Sequence, residues 1–303
     1  MFLPFVPAVH SDHDVRQWVR HTLVRCNRVF VWEEAGTVVA VIAISADQTE
    51  SWINQLYVLP GWNRRGIGTK LLMHAHCTLT VPIHLYTFQE NAGARRFYER
   101  NGYKAVELTN GQGNEEKCPD IHYVRSACDE TTYRQAVVED AQCISVLASQ
   151  VFMDTYAARG VNRDLAIEVT STLSIESFLK RLELKTVELF VAEHAGYMVG
   201  LIDLDLESAC PDPAVTGMEV LRLYVQRPFH RRGIGCALMR LAEERTRRAS
   251  HQAIWLTAWA GNLAARDFYR SLGYKDVGST PYFIEGKAYE NRILVKQMAA
   301  GVA

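Results

Sequence analysis

Apolar positions along the chain recur with two periods, one helical and one alternating, and the two succeed each other twice. Residues 12–26 carry the 3.6-residue spacing of an amphipathic helix, opened by Ser11 or Asp12 as its cap. Residues 29–32 and 38–44 alternate as strands around a turn at Glu34-Ala35-Gly36. The same hairpin returns at 189–193 and 198–206 around His194-Ala195-Gly196. Ahead of this second hairpin, residues 141–158 and 165–184 predict helices with no counterpart in the first half, whose front end is truncated.

The recurrence extends to residue order. Leu56-Tyr57-Val58 followed by Asn63-Arg64-Arg65-Gly66-Ile67-Gly68 matches Leu223-Tyr224-Val225 followed by His230-Arg231-Arg232-Gly233-Ile234-Gly235 at identical spacing. A second block, Asn91 to Tyr98 leading to Gly102-Tyr103, returns as Asn262 to Tyr269 leading to Gly273-Tyr274. A long unit that occurs only twice predicts duplicated domains, because solenoids stack three or more short units. The small polar segment at 126–132 separates two apolar alternations, so the expected domains are 1–128 and 129–303.

A length of 303 residues suits two hydrophobic cores. Residues 1–7 are apolar but proline-broken and lack the basic layout of a secretory signal, and no run reaches membrane-spanning length, so a cytoplasmic protein without a membrane partner is expected. A formal net charge of −1 offers no nucleic-acid footprint. Seven cysteines without a closely spaced pair, and ten histidines without an HExxH spacing, predict reduced thiols and no metal.

Chemistry enters at the basic glycine turn. In both copies it runs straight into an apolar-periodic helix, marked by Leu71, Leu72 and Ala75 or by Leu238, Leu241 and Ala242. Unpaired N–H groups at a helix start converge on one spot where the dipole favours an anion, and glycine permits the close approach of a phosphate. No GxxxxGK[ST] is present, and the third glycine of GxGxxG is missing, which disfavours ATP and NAD.

Strand, glycine turn, helix, strand, then Asn-x-x-Ala-x-x-Phe-Tyr and Gly-Tyr: in both halves this order resembles the GNAT acetyltransferase superfamily. The likeness covers almost the whole chain. Asn63 and His230 stand where the family's turn begins with Gln or Arg. Asn114-Glu115-Glu116 with Pro119-Asp120 resembles small bacterial members of unassigned substrate. The second half, through residues 152–156 and 219–225, is similar to bacterial spermidine acetyltransferase-like proteins. The resemblance implies an α/β fold of two tandem domains, each a mixed, mostly antiparallel sheet flanked by helices. It also implies acetyl-CoA as donor, with Leu56, Tyr57 and Val58, and Leu223, Tyr224 and Val225, pairing with the pantetheine arm. Arg64, Arg65, Gly66, Ile67, Gly68, Thr69 and Lys70 would hold the pyrophosphate in the first half. Arg231, Arg232, Gly233, Ile234, Gly235, Cys236 and Ala237 would do so in the second. Asn91 and Asn262 would bind the cofactor, and Tyr98 and Tyr269 would face its sulfur.

For the chemistry, the resemblance makes Glu219 the general base, Tyr269 the acid for the departing thiolate, and a backbone N–H near Val225 the oxyanion donor. An alkylamine is neutral about one part in a thousand at pH 7.4, so some base is needed. In the first half Trp52 stands opposite Glu219, which makes the second half the working enzyme. Asp203, Asp205 and Glu207 form an acidic alternation that reads either as an attractor of cationic amines or as a solvated strand face. The expected acceptor is a small-molecule primary amine, and the protein a monomer or homodimer. A protein lysine or N-terminal acetyltransferase, and a silent acyl-CoA-binding scaffold, are the alternatives.

Overall fold

Ser11 begins the first helix: its hydroxyl accepts from the Asp14 N–H while the Asp14 carboxylate accepts from the Ser11 N–H, a reciprocal cap that satisfies two end donors. Helix α1 (Asp12–Trp18) continues through a π-helical turn at Val19–Leu23 into α2 (Val24–Cys26). The hairpin of β1 (Arg28–Glu34) and β2 (Thr37–Ala46) turns at Ala35 and Gly36, with φ of 48° and 78°, the turn hand that matches strand twist. The computed structural model describes residues 5–79, 82–126 and 131–298. Parts of the apolar start and of the segment at 126–132, with Cys128, lie outside the described residues. No described helix is long and apolar enough to cross a membrane.

The chain divides into two units, residues 1–129 and 130–303. The first continues with β3 (Ser51–Val58), α3 (Ile67–Thr78), β4 (Ile83–Phe88), α4 (Ala92–Arg100), β5 (Lys104–Leu108) and β6 (Asp120–Arg125). Its six strands run in the order β1-β2-β3-β4-β6-β5, antiparallel except for β3 beside β4. Ile42, Ile44, Leu72, Ile83 and Tyr123 are buried in one core between sheet and helices.

The second unit holds β7 (Thr131–Gln135), α5 (Ala141–Tyr156), α6 (Arg163–Thr170), α7 (Ile175–Glu183), β8 (Val187–His194), β9 (Tyr197–Asp205) and β10 (Met218–Val225). It ends with α8 (Ile234–Arg248), β11 (Ala253–Trp259), α9 (Leu263–Ser271), β12 (Lys275–Ile284) and β13 (Lys287–Gln297). Seven strands run β12-β13-β11-β10-β9-β8-β7, and only the β10–β11 pair is parallel. Two tandem α/β units of mixed, mostly antiparallel sheet flanked by helices are therefore present.

The helix expected at 165–184 is two helices. Thr170 and Ser171 turn their hydroxyls back onto carbonyls of the preceding turn, and Ser174 caps α7 by accepting from the Ser177 N–H. Such side chains compete with the helix backbone and end it. The break buries Leu173 between α5 and α7, so the second unit gains an apolar layer that α5 and α7 lay over Leu189 and Leu201. On the opposite sheet face, α8 and α9 cover Ile202 and Leu204.

Candidate active site

In each unit the parallel pair is very short. Strand β3 meets β4 at Ser51↔Ile83 and Trp52↔His84 and nowhere further along. Strand β10 meets β11 only at Met218↔Ile254 and Glu219↔Trp255. Beyond those points the strands part, leaving Leu56, Tyr57 and Val58 bonded to β2 on one side only, and Leu223, Tyr224 and Val225 bonded likewise to β9. An unpaired strand edge offers N–H and C=O groups to an extended guest. A bulge sits at the mouth of each split, with Asn54 in one unit and Leu221 in the other as the extra residue. Bulges bend a strand and increase its twist, which helps to open the gap.

The glycine turn stands at the wide end of the gap. Arg64 and Gly66 (φ 63° and 79°), and Arg231 and Gly233 (φ 63° and 86°), adopt the left-handed region. The first intrahelical bonds run from Lys70 N–H to Gly66 and from Ala237 N–H to Gly233, at 3.0 and 2.9 Å. The N–H groups from Gly66 to Thr69 and from Gly233 to Cys236 therefore lie ahead of the first intrahelical bond, at the end of the helix where backbone donors can face an anion. Lys70 and Ala237 fall outside this cradle because their N–H groups are spent on the helix, and the Lys70 ammonium lies over the Trp32 ring at 4.9 Å. Arg65 stacks over Trp62 at 4.6 Å and Arg232 over Phe229 at 4.9 Å, an attraction that fixes the turn. The side chains of Ile67, Ile234 and Cys236 are buried, so only their backbone can face a ligand. His230 reaches back to the Val225 carbonyl at 2.8 Å, bracing the turn against the strand end.

Asn91 and Asn262 have a structural duty: each side-chain oxygen accepts from the N–H three residues on, capping α4 and α9. Tyr98 and Tyr269 are both buried, and burial holds each hydroxyl's pKa well above its ordinary value. In the first unit the gap is a cavity of about 810 Å³ reached by Leu56 to Val58, the glycine turn, Asn91 and Tyr98. A pyrophosphate carrying an extended arm fits such a gap, with the helix start for its charge and the strand edge for its amides.

Asp203 differs from the sequence expectation. Asp203 is fully buried and salt-bridged to Arg181 of α7 at 2.7 Å and to Arg222 at 2.6 Å. It is neither a solvated face nor free to attract an amine, because both sheet faces of this unit are covered. Glu219 is 9% exposed, and burial pushes its carboxyl above the ordinary range, against the pull of a Ser208 hydrogen bond.

One group was not legible in the sequence. Glu168 of α6 is 8% exposed and accepts from the Tyr282 hydroxyl of β12 at 2.9 Å. One turn earlier, Asp164 accepts from the Tyr289 hydroxyl and pairs with Lys287 at 3.1 Å. Helix α6 is thereby fastened onto the β12–β13 hairpin. Tyr156, at the end of α5, stands edge-on to Trp259 at 5.7 Å, and the Glu168 charge helps to raise the pKa of Tyr156, Tyr224 and Tyr282. Three tyrosines thus gather around one buried carboxylate. A carboxylate and aromatic faces together suit a cation.

Two family models match, one in each half: an acetyltransferase (GNAT) domain over residues 25–105 and the acetyltransferase (GNAT) family over residues 156–274. An uncharacterized N-acetyltransferase of Lactobacillus delbrueckii subsp. lactis is 26% identical over 152 residues, which is 50% of this chain and 87% of that protein. Among solved structures, the PaiA N-acetyltransferase of Thermoplasma acidophilum in complex with coenzyme A is 19% identical, with a TM-score of 0.45 over 55% of this chain and 99% of its own. YncA, described as a putative acetyltransferase of Salmonella typhimurium with acetyl-CoA, is 18% identical, with a TM-score of 0.43 over 57% and 97%.

Proposed function

We propose, for a chain that belongs to the GNAT acetyltransferase superfamily and carries its domain in tandem, that the C-terminal unit moves an acetyl group from acetyl-CoA to a primary amine of a small molecule. The observation that carries this reading is the buried Glu219 carboxylate on the split strand that leads to the Gly233 cradle. Bound there, acetyl-CoA supplies an acetyl group activated as a thioester.

The protein's part is to prepare the amine and hold both partners. At pH 7.4 an alkylammonium must lose a proton at a cost of about 4 kcal/mol. Glu219, raised by burial, is a stronger base than an exposed carboxylate and takes that proton directly or through water. The backbone N–H groups near Val225 donate to the carbonyl oxygen as negative charge develops on it. Tyr269 points to a refined role. A thiol titrates near about 8.5, whereas burial holds the tyrosine well above its ordinary pKa, so its hydroxyl stabilises the departing sulfur by donating a hydrogen bond more readily than by surrendering its proton.

Glu168, with Tyr156 and Tyr282, supports a cationic acceptor, and the α6–hairpin fastening supports a covered pocket over an open peptide groove. The likeness to spermidine acetyltransferase-like proteins makes a polyamine the first acceptor to try. The test is release of free thiol when acetyl-CoA is mixed with a panel of primary amines. Amine-dependent release is expected, and no release with any amine would refute the reading.

A further inference from the structure

The N-terminal unit keeps the cradle and the split strand but changes what lies at the end of the pantetheine path. The place of Glu219 is held by Trp52, the same distance ahead of the Leu-Tyr-Val segment. Its indole N–H donates to Glu50 at 3.0 Å, so the neighbouring carboxylate is already engaged. The indole belongs to a group of near-parallel rings on the sheet: it stacks with His84 at 4.8 Å, His122 at 5.6 Å and Tyr86 at 5.9 Å, and Tyr86 stacks with His122 at 4.7 Å. Tyr86 also lines the 810 Å³ cavity and is 49% exposed. The aromatic surface is thus continuous with the space that the cofactor motif encloses.

We propose that the N-terminal unit is a holding site for a coenzyme A thioester whose acyl group is an aromatic ring, stacked on Tyr86 and Trp52. The inference rests on the reading that the Gly66 cradle takes coenzyme A. If the position of Glu219 lies within reach of the acyl carbon in one unit, the indole at the matching position lies within reach of the acyl group in the other. A flat ring gains from a flat ring, whereas a methyl group does not fill the same surface. Burial and the adjacent His84 hold the His122 imidazole below its ordinary pKa, which disfavours a positive charge on the ring that Tyr86 and Trp52 stack against.

Calorimetric titration of the full chain with coenzyme A, acetyl-CoA and benzoyl-CoA tests this. At one of two sites, benzoyl-CoA binds about tenfold more tightly than acetyl-CoA, the weight of one aromatic stacking contact. Trp52→Ala removes that preference and leaves coenzyme A affinity as it was, and Trp52→Phe retains most of it. Equal affinity of the wild type for benzoyl-CoA and acetyl-CoA overturns the inference while leaving the cradle reading intact. If Gly66→Val changes no isotherm, coenzyme A does not occupy this unit, and the reading and the inference fall together.

Discussion

Tyr57 and Tyr224 hold the same place in the repeat, yet Tyr57 is 50% exposed while Tyr224 packs into the layer that α5 and α7 lay over the sheet. The split strand and the glycine turn are present in both units, and helices α5, α6 and α7 are present in the second alone among the described residues. Where β9 of the C-terminal unit buries Asp203 between Arg181 and Arg222, β2 of the N-terminal unit has Ala43 paired with Gln55. A charge triad requires a helix to supply one of its arginines, and only the second unit has α7. Covering helices and buried charge go together: on the sheet face that α5 and α7 close, Asp203 is paired with two arginines, and Glu219 is a buried carboxylate with an elevated pKa.

The largest difference between the units is expected at Asp203. Asp203→Asn leaves two guanidinium groups short of their counter-charge and should destabilise the C-terminal unit by about 3–5 kcal/mol, the usual cost of removing one partner of a buried pair. Denaturant unfolding, followed by far-UV circular dichroism, should show one transition moved and another unmoved; a shift below about 1 kcal/mol would mean that the triad is not structural. Next in size, Tyr269→Phe removes one hydrogen-bond donor to developing negative charge and should slow turnover by about 10²-fold with little effect on stability, while the matching Tyr98→Phe should leave turnover within about twofold. Equal losses in the two variants would erase the asymmetry. Glu168→Gln should raise KM for a cationic amine about tenfold, the weight of one hydrogen bond to a charged group, while kcat and KM for acetyl-CoA stay unchanged. An unchanged amine KM would reduce Glu168 to a fastener of α6.

The smallest expected effect is on pH dependence. Because the folded carboxyl of Glu219 is raised, the folded state binds its proton more tightly than the unfolded state does. The associated stability is complete below the unfolded carboxyl pKa and lost as pH rises through the folded one, so Glu219→Gln should be slightly more stable than wild type at neutral pH although it turns over poorly. Activity runs in the other sense: kcat/KM falls on the acid side with a limb above the ordinary carboxylate range, and the limb vanishes in Glu219→Gln. A variant less stable than wild type at pH 7 would contradict the assignment of burial as the cause.

Much of the fold and the local geometry of the candidate site were legible because their signals are local. Ser11, the Ala35-Gly36 and Ala195-Gly196 turns, and the Arg-Arg-Gly-Ile-Gly runs each act through backbone a few residues away, and each stands where the pattern placed it. Glu168 was not legible, since its partner Tyr282 lies 114 residues further on and a glutamate on an amphipathic helix reads as solvated. Asp203 failed for a related reason: alternation identifies a strand but not whether helices cover both of its faces. Ser174 shows the converse, a local cap inside a continuous apolar period that the period concealed.

Paired substitutions at the left-handed glycines test the division of labour between the units most directly. Gly235 suits this less well, because a Cβ there would meet the Phe268 ring at 3.3 Å and disturb packing against α9. Gly66 and Gly233, by contrast, both hold φ near +80°, which a β-branched residue resists, so valine distorts the cradle itself. Thiol release from acetyl-CoA with a polyamine should fall about 100-fold or more in Gly233→Val and remain within about twofold of wild type in Gly66→Val, each variant remaining folded by circular dichroism. A folded Gly66→Val protein that has lost activity while Gly233→Val retains it would assign catalysis to the N-terminal unit and contradict the account.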